Sequence, residues 1–225
     1  MCGRFVQAAD LDHWVGVLGI QRVLTEPLPP SWNVAPTDPV YAAADHEGER
    51  QLGSMQWGLI PHWANDRRGI HINARAETVT TKPAFRDAAA RRRCLIPSNG
   101  FYEWQVTPRG KIPHHIGLAD ADMVFAGIWS SWRDPGTGER LRTVAIVTTA
   151  ASPELEDIHD RMPVWLAPDL WSDWLDRSTT DPADVAAMLD QASPGTVTAR
   201  PIGDAVGAVA NNDPSLLDDR QDLFT

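Results

Sequence analysis

Eighteen prolines and sixteen glycines are spread along the whole of this 225-residue chain. Proline removes a backbone donor and blocks a helix interior, and glycine loses more entropy than other residues in any regular element. A helix bundle is therefore disfavoured, and short strands joined by tight turns are expected. A chain of this length can bury a sizeable core in one domain when it is β-rich.

The pattern along the chain agrees. Asp10 caps a short helix through Trp14, Val15 and Leu18 that ends near Gly19. Residues 28–36 hold three prolines and read as an ordered loop. Residues 40–44 and 51–57 read as strands joined by a polar turn, and residues 72–78 alternate as a strand would. In that extended form Asn73, Arg75 and Glu77 share one face, either as a solvated surface or as part of a site. Residues 83–93 read as a helix with proline in its first turn and three arginines at its end, where they suit the helix dipole. Strands follow at 94–97, 101–104, 112–118, 123–129 and 141–148, then helices at 169–176 and 182–192 and a return to the sheet at 196–202. The expected fold is α+β: one domain over residues 1–225, a twisted, mainly antiparallel, barrel-like sheet with peripheral helices, and a polar tail after about residue 217.

The first residues carry distinctive chemistry. The small side chain of Cys2 permits removal of Met1, which would leave an N-terminal cysteine. Its thiol has a reference pKa of about 8.5 and its α-amine one of about 7.7–8.0. Two nucleophiles on adjacent carbons can condense with an aldehyde to an imine and close a five-membered thiazolidine. A frayed terminus with an incidental cysteine is the plainer alternative. Glu103, between Tyr102 and Trp104, is placed on the Phe101 face by strand alternation. Either desolvation makes it an acid/base, or it forms a structural ion pair, Arg75 being a candidate partner. His159, in the polar run Ile158-His159-Asp160-Arg161-Met162-Pro163, is a further acid/base candidate.

Several classes are set aside. No apolar run reaches membrane-spanning length, and the start lacks a signal pattern. Two cysteines make no disulfide framework and fit a reducing cytoplasm; a Cys2–Cys94 bond would consume the nucleophile. No Cys-x-x-Cys pair, His-x-x-x-His pair or nucleotide-binding loop occurs, so no metal or cofactor is expected. The net charge of −10 is uneven, for residues 1–118 carry 13 basic against 11 acidic side chains. A basic cleft in the first half remains compatible with nucleic acid, and some of the ten tryptophans can stack on bases.

Taken in order, these segments resemble the SOS response-associated peptidase (SRAP) family of abasic-site-processing proteins. The resemblance runs from Met1-Cys2-Gly3-Arg4-Phe5 through Asn33-Val34-Ala35-Pro36, Trp57-Gly58-Leu59-Ile60-Pro61 and Asn73-Ala74-Arg75-Ala76-Glu77-Thr78. It continues in Gly100-Phe101-Tyr102-Glu103-Trp104, His159-Asp160-Arg161-Met162-Pro163 and Asn212-Asp213-Pro214-Ser215-Leu216. It implies a barrel-like core and covalent capture of abasic sites in single-stranded DNA. Cys2 then matches the nucleophile, with Asn73, Glu103 and His159 around it. Arg4, Arg75 and Arg161 match residues facing the DNA backbone and sugar, and Pro36 and Trp63 match groups near the bases. Cys2 acting as a peptide hydrolase, or a non-catalytic single-strand-binding module, are the alternatives.

Overall fold

The computed structural model describes residues 2–119, 121–193 and 195–220. Met1, whose removal the sequence suggests, and the end of the polar tail lie outside them. Strand β1 (Phe5–Gln7) leads into helix α1 (Leu11–Leu18). Asp10 accepts the N–H of His13 at 2.8 Å, and Gly19 ends the helix at φ 63°, a left-handed conformation cheap only for glycine. Strands β2 (Arg22–Val23) and β3 (Ser31–Val34) follow. The second of these corrects the expected loop over residues 28–36. Its prolines flank Ser31–Val34, whose amides stay free to pair antiparallel with β1. Strands β4 (Pro39–His46) and β5 (Glu49–Trp57) form a hairpin through Glu47-Gly48, both at positive φ as a tight two-residue turn requires.

The alternation at residues 72–78 also ends early. Only β6 (Asn73–Arg75) is extended, and helix α2 (Ala76–Val79) carries Glu77 off the strand face. Helix α3 (Arg86–Arg91) then precedes strand β7 (Arg93–Ser98), so Arg93 belongs to the strand and not to the helix end. Its buried guanidinium still serves helix ends. It donates to the carbonyls of Ala89, Ala90 and Thr179 at 2.7–3.0 Å, and to those of Trp174 and Asp176. Strands β8 (Gly100–Thr107), β9 (Gly110–Leu118), β10 (Met123–Arg133), β11 (Arg140–Ala150) and β12 (Arg161–Pro163) continue the chain. Helices α4 (Trp171–Leu175) and α5 (Pro182–Asp190) and strand β13 (Val197–Pro201) complete it.

Strands β11, β10, β7, β4 and β5 pair antiparallel in that order. Strand β5 then returns to β11 through the parallel pairs Gln56–Thr143 and Trp57–Val144, which closes a mixed five-stranded barrel. Strands β6 and β12 flank the far half of β11, and β2 lies along β5. A second, antiparallel sheet has the order β13-β9-β8-β1-β3. Period-two alternation on β11 splits the core: Ala145 and Val147 pack with Trp14 and Trp174 from the helices, Val144 and Ile146 with Phe5 and Phe101 from the second sheet. Burying each large apolar side chain contributes about 1.5–3 kcal/mol. The buried Gln7 side chain joins the sheets, donating to the Pro97 carbonyl and accepting the N–H of Tyr41, both at 2.8 Å.

Candidate active site

Burial of Phe5 fixes where the chain begins. Its ring meets Trp57 and Phe125 edge-on at 5.1 and 5.9 Å, while its backbone pairs with Val34 on one side and Phe101 on the other. Three residues upstream, Cys2 is fully buried against the same core. Asn73, at the start of β6, donates from Nδ2 to the Cys2 carbonyl at 2.8 Å. Its Oδ1 is buried without a partner among the described residues, an acceptor open to an amine or hydroxyl. The Cys2 thiol contacts the Arg4 carbonyl at 3.7 Å. Burial, and then the Glu103 carboxylate, push its pKa well above the ordinary thiol range, so near neutrality it stays protonated. Both cysteines are free, so no disulfide consumes the nucleophile.

Glu103 lies on β8 opposite His114, on the same strand face as Phe101 and 4 % exposed. Tyr102 and Trp104 point to the other side, into a small cluster with Val6 and Val206. The neighbours that matter to the carboxyl are therefore Cys2 and His159, not the flanking aromatics. Burial pushes the Glu103 pKa up, with the His159 charge pulling the other way. His159 Nε2 stands 4.0 Å from Glu103 Oε2. Its Nδ1 accepts the backbone N–H of Arg161 at 3.0 Å. Asp160 Oδ1 also lies 2.9 Å from Nδ1, but that side chain is 83 % exposed and solvated, so the backbone donor governs. Neutral His159 then carries its proton on Nε2, the nitrogen turned toward Glu103.

The three arginines differ. Arg4 donates to Asn33 Oδ1 at 2.8 Å and to the Val206 carbonyl at 3.1 Å. Asn33 Nδ2 in turn ties the carbonyls of Val206, Ala208 and Asn211 to β3. Arg161 is buried, forms a two-pronged ion pair with Glu77 and donates to the Thr148 carbonyl at 2.7 Å. Glu77 is held below the ordinary carboxylate range, chiefly by that hydrogen bond. Arg75 shares a strand face with Asn73 and is exposed. Trp63 is 56 % exposed and Pro36 half-buried, and neither is hydrogen-bonded to the four central residues. The structure thus brings Cys2, Asn73, Glu103 and His159 together, with Arg161 bonded to His159 through its backbone. The sequence placed Asn33 in a motif and Glu77 on a possible site face with Asn73 and Arg75, but gave neither its arginine partner. Their residue types say little until the fold brings in Arg4 and Arg161.

The chain matches the family model described as SOS response associated peptidase over residues 1–209. The abasic site processing protein YoqW of Bacillus subtilis is 37 % identical, over 97 % of this chain and 99 % of that protein. The abasic site processing protein YedK of Escherichia coli is 31 % identical, over 96 % and 99 %. Abasic site processing protein HMCES of Xenopus tropicalis is 28 % identical over 84 % of this chain and 65 % of its own. Among solved structures, a protein of Bacteroides thetaiotaomicron superposes with a TM-score of 0.86 at 26 % identity, covering 98 % of this chain and all of that one.

Proposed function

Because the chain belongs to the SOS response-associated peptidase family, we propose that it captures abasic sites in single-stranded DNA as a covalent thiazolidine on Cys2. The names of its relatives support abasic DNA as the target. The observation that carries the chemistry is the meeting of Asn73, Glu103 and His159 around Cys2.

An abasic deoxyribose is mostly a closed hemiacetal. His159 Nε2–H donates to the ring oxygen as the C1′–O bond opens, and the C1′ hydroxyl loses its proton to water, leaving an aldehyde. With Met1 removed, Glu103 takes a proton from the Cys2 α-ammonium. The amine attacks C1′ and one water leaves, giving an imine. Asn73 holds the Cys2 carbonyl, and its free Oδ1 accepts from the amine. The thiol then adds to the imine carbon, its proton passing to nitrogen, and closes the ring. Its raised pKa makes the amine the first nucleophile and the thiol the second. Ring closure within one tethered residue gains from effective molarities of about 10⁵–10⁸ M.

An imine not captured by sulfur permits β-elimination of the 3′ phosphate, a weak lyase side reaction. Removal of Met1 by Cys2 and Glu103 themselves would account for peptidase chemistry. Exposed Arg75 faces the strand, half-buried Arg4 and the Glu77-paired Arg161 frame its path, and Pro36 and Trp63 meet its bases, so binding reads the lesion and little sequence. The complex shields the lesion in the cytoplasm, at the nucleoid. Denaturing gels with abasic and intact single-stranded oligonucleotides test the reading. A heat-resistant adduct should appear with the abasic strand alone and vanish when the α-amine is blocked by an N-terminal extension. An adduct that survives the block would instead favour a thiol hydrolase, and equal non-covalent binding of both strands a simple binding module.

A further inference from the structure

The barrel has a second end, and it holds a cavity that the abasic-site chemistry does not use. On β11 the site described above lies beside Asn73 and Arg75, which pair with Ile146 and Thr148. The cavity opens beside Arg142, four to six residues earlier on the same strand, which is about 13–20 Å away at the rise of an extended chain. Its volume is about 230 Å³. That is smaller than a typical drug-sized pocket of about 300–1,000 Å³ and suits one ring system with a small polar group.

Three features give it a chemical character. Ala42, Ala44 and Gly53 make a floor of small residues, and a Cβ built on Gly53 would meet nothing within 4 Å. Half-buried Trp129 adds a flat aromatic wall. Arg91, Arg142 and Arg177 bring three exposed guanidinium groups to the lining, and none forms an ion pair among the described residues. The lining has a single carboxylate, Asp45, which Arg50 engages at 3.2 Å. Arg93 also lines the cavity, but backbone carbonyls occupy its donors. Three arginines without an ion pair around an aromatic-walled hollow give this end of an otherwise acidic chain a local positive charge suited to an anion.

The geometry points to a binding site for a nucleoside 5′-monophosphate, its base against Trp129 and its phosphate among Arg91, Arg142 and Arg177. Guanidinium groups match phosphate oxygens two at a time, and an indole stacks on any base. The same chemistry is offered by a free nucleotide and by the phosphorylated 5′ end of a strand. Calorimetric titration of the full chain with deoxyadenosine 5′-monophosphate, deoxyadenosine and inorganic phosphate tests the site. Saturable binding of the nucleotide is expected, at least tenfold tighter than either fragment. Arg142→Gln, at an exposed side chain, should weaken it tenfold or more. Gly53→Leu, which fills the hollow, should do the same, with crosslinking to abasic DNA intact in both variants. A 5′-phosphorylated trinucleotide binding as tightly as the mononucleotide would assign the site to strand ends, and binding of the mononucleotide alone would assign it to free nucleotides. No saturable binding, equal affinity for phosphate alone, or binding lost in Arg75→Gln but kept in Arg142→Gln would overturn the proposal.

Discussion

Cys2 offers two nucleophiles, and substituting only one separates them. Cys2→Ser keeps the α-amine but replaces the thiol with a poorer nucleophile, so the imine should form and the ring should not persist. Its adduct should be trapped by borohydride yet reversed by heat, and nicking of abasic DNA should exceed that of the unaltered protein on a sequencing gel. Glu103 makes a different prediction through stability. Its carboxyl has a raised pKa when folded, so the native state binds the extra proton and loses stability as pH rises from the ordinary carboxylate value through the folded one. Glu103→Gln should therefore melt at a higher temperature than the parent at pH 8. The gap should close at pH 3, where both states hold a protonated carboxyl, while crosslinking slows at every pH. Equal melting temperatures at pH 8 would mean that the carboxyl is not desolvated. Alternation along residues 101–104 was enough to put Glu103 on the core face with Phe101. The Glu77–Arg161 pair was not legible, because it joins residues 84 positions apart and depends on the turn into α2.

At the scale of elements, Arg93 concentrates the most structure in one side chain. Its donors satisfy the last-turn carbonyls of Ala89, Ala90 and Trp174 in α3 and α4 and add a second partner to the carbonyl of Asp176, which caps α4. Arg93→Lys supplies fewer donors in the wrong geometry and should cost about 2–4 kcal/mol in urea unfolding, with an unchanged m-value. A loss below about 1 kcal/mol would show that water replaces the missing bonds. The sequence associated these arginines with a helix end for a sound electrostatic reason. It could not show that Arg93 reaches that end from the first residue of a strand. Strand β3 was hidden for a related reason: the prolines marked the segment as irregular, although the four strand residues Ser31–Val34 keep their amides for pairing. By contrast α1 was readable almost to the residue, because Asp10 and Gly19 signal both ends locally.

For the whole molecule, an acidic protein is expected to hold an anionic strand. The mainly antiparallel barrel-like core was legible from the recurrence of short apolar segments. Its closure was not, since the parallel pairing of β5 with β11 joins segments with no local turn between them. Among the described residues no helix is long and apolar enough to cross a membrane. Exposed Arg75 offers the cleanest test of strand binding, because its loss removes a charge without leaving a buried partner. Arg75→Ala should weaken binding to single-stranded DNA and reduce the slope of log K against log salt by about 0.7. An unchanged slope would take Arg75 off the strand's path. Capture by Cys2 is decided by the intact mass of the protein after incubation with a single-stranded abasic oligonucleotide and heating. The predicted product weighs as much as the chain without Met1 plus the oligonucleotide, less one water. A product that retains Met1, or the unmodified protein alone, would contradict capture by the N-terminal amine and thiol of Cys2.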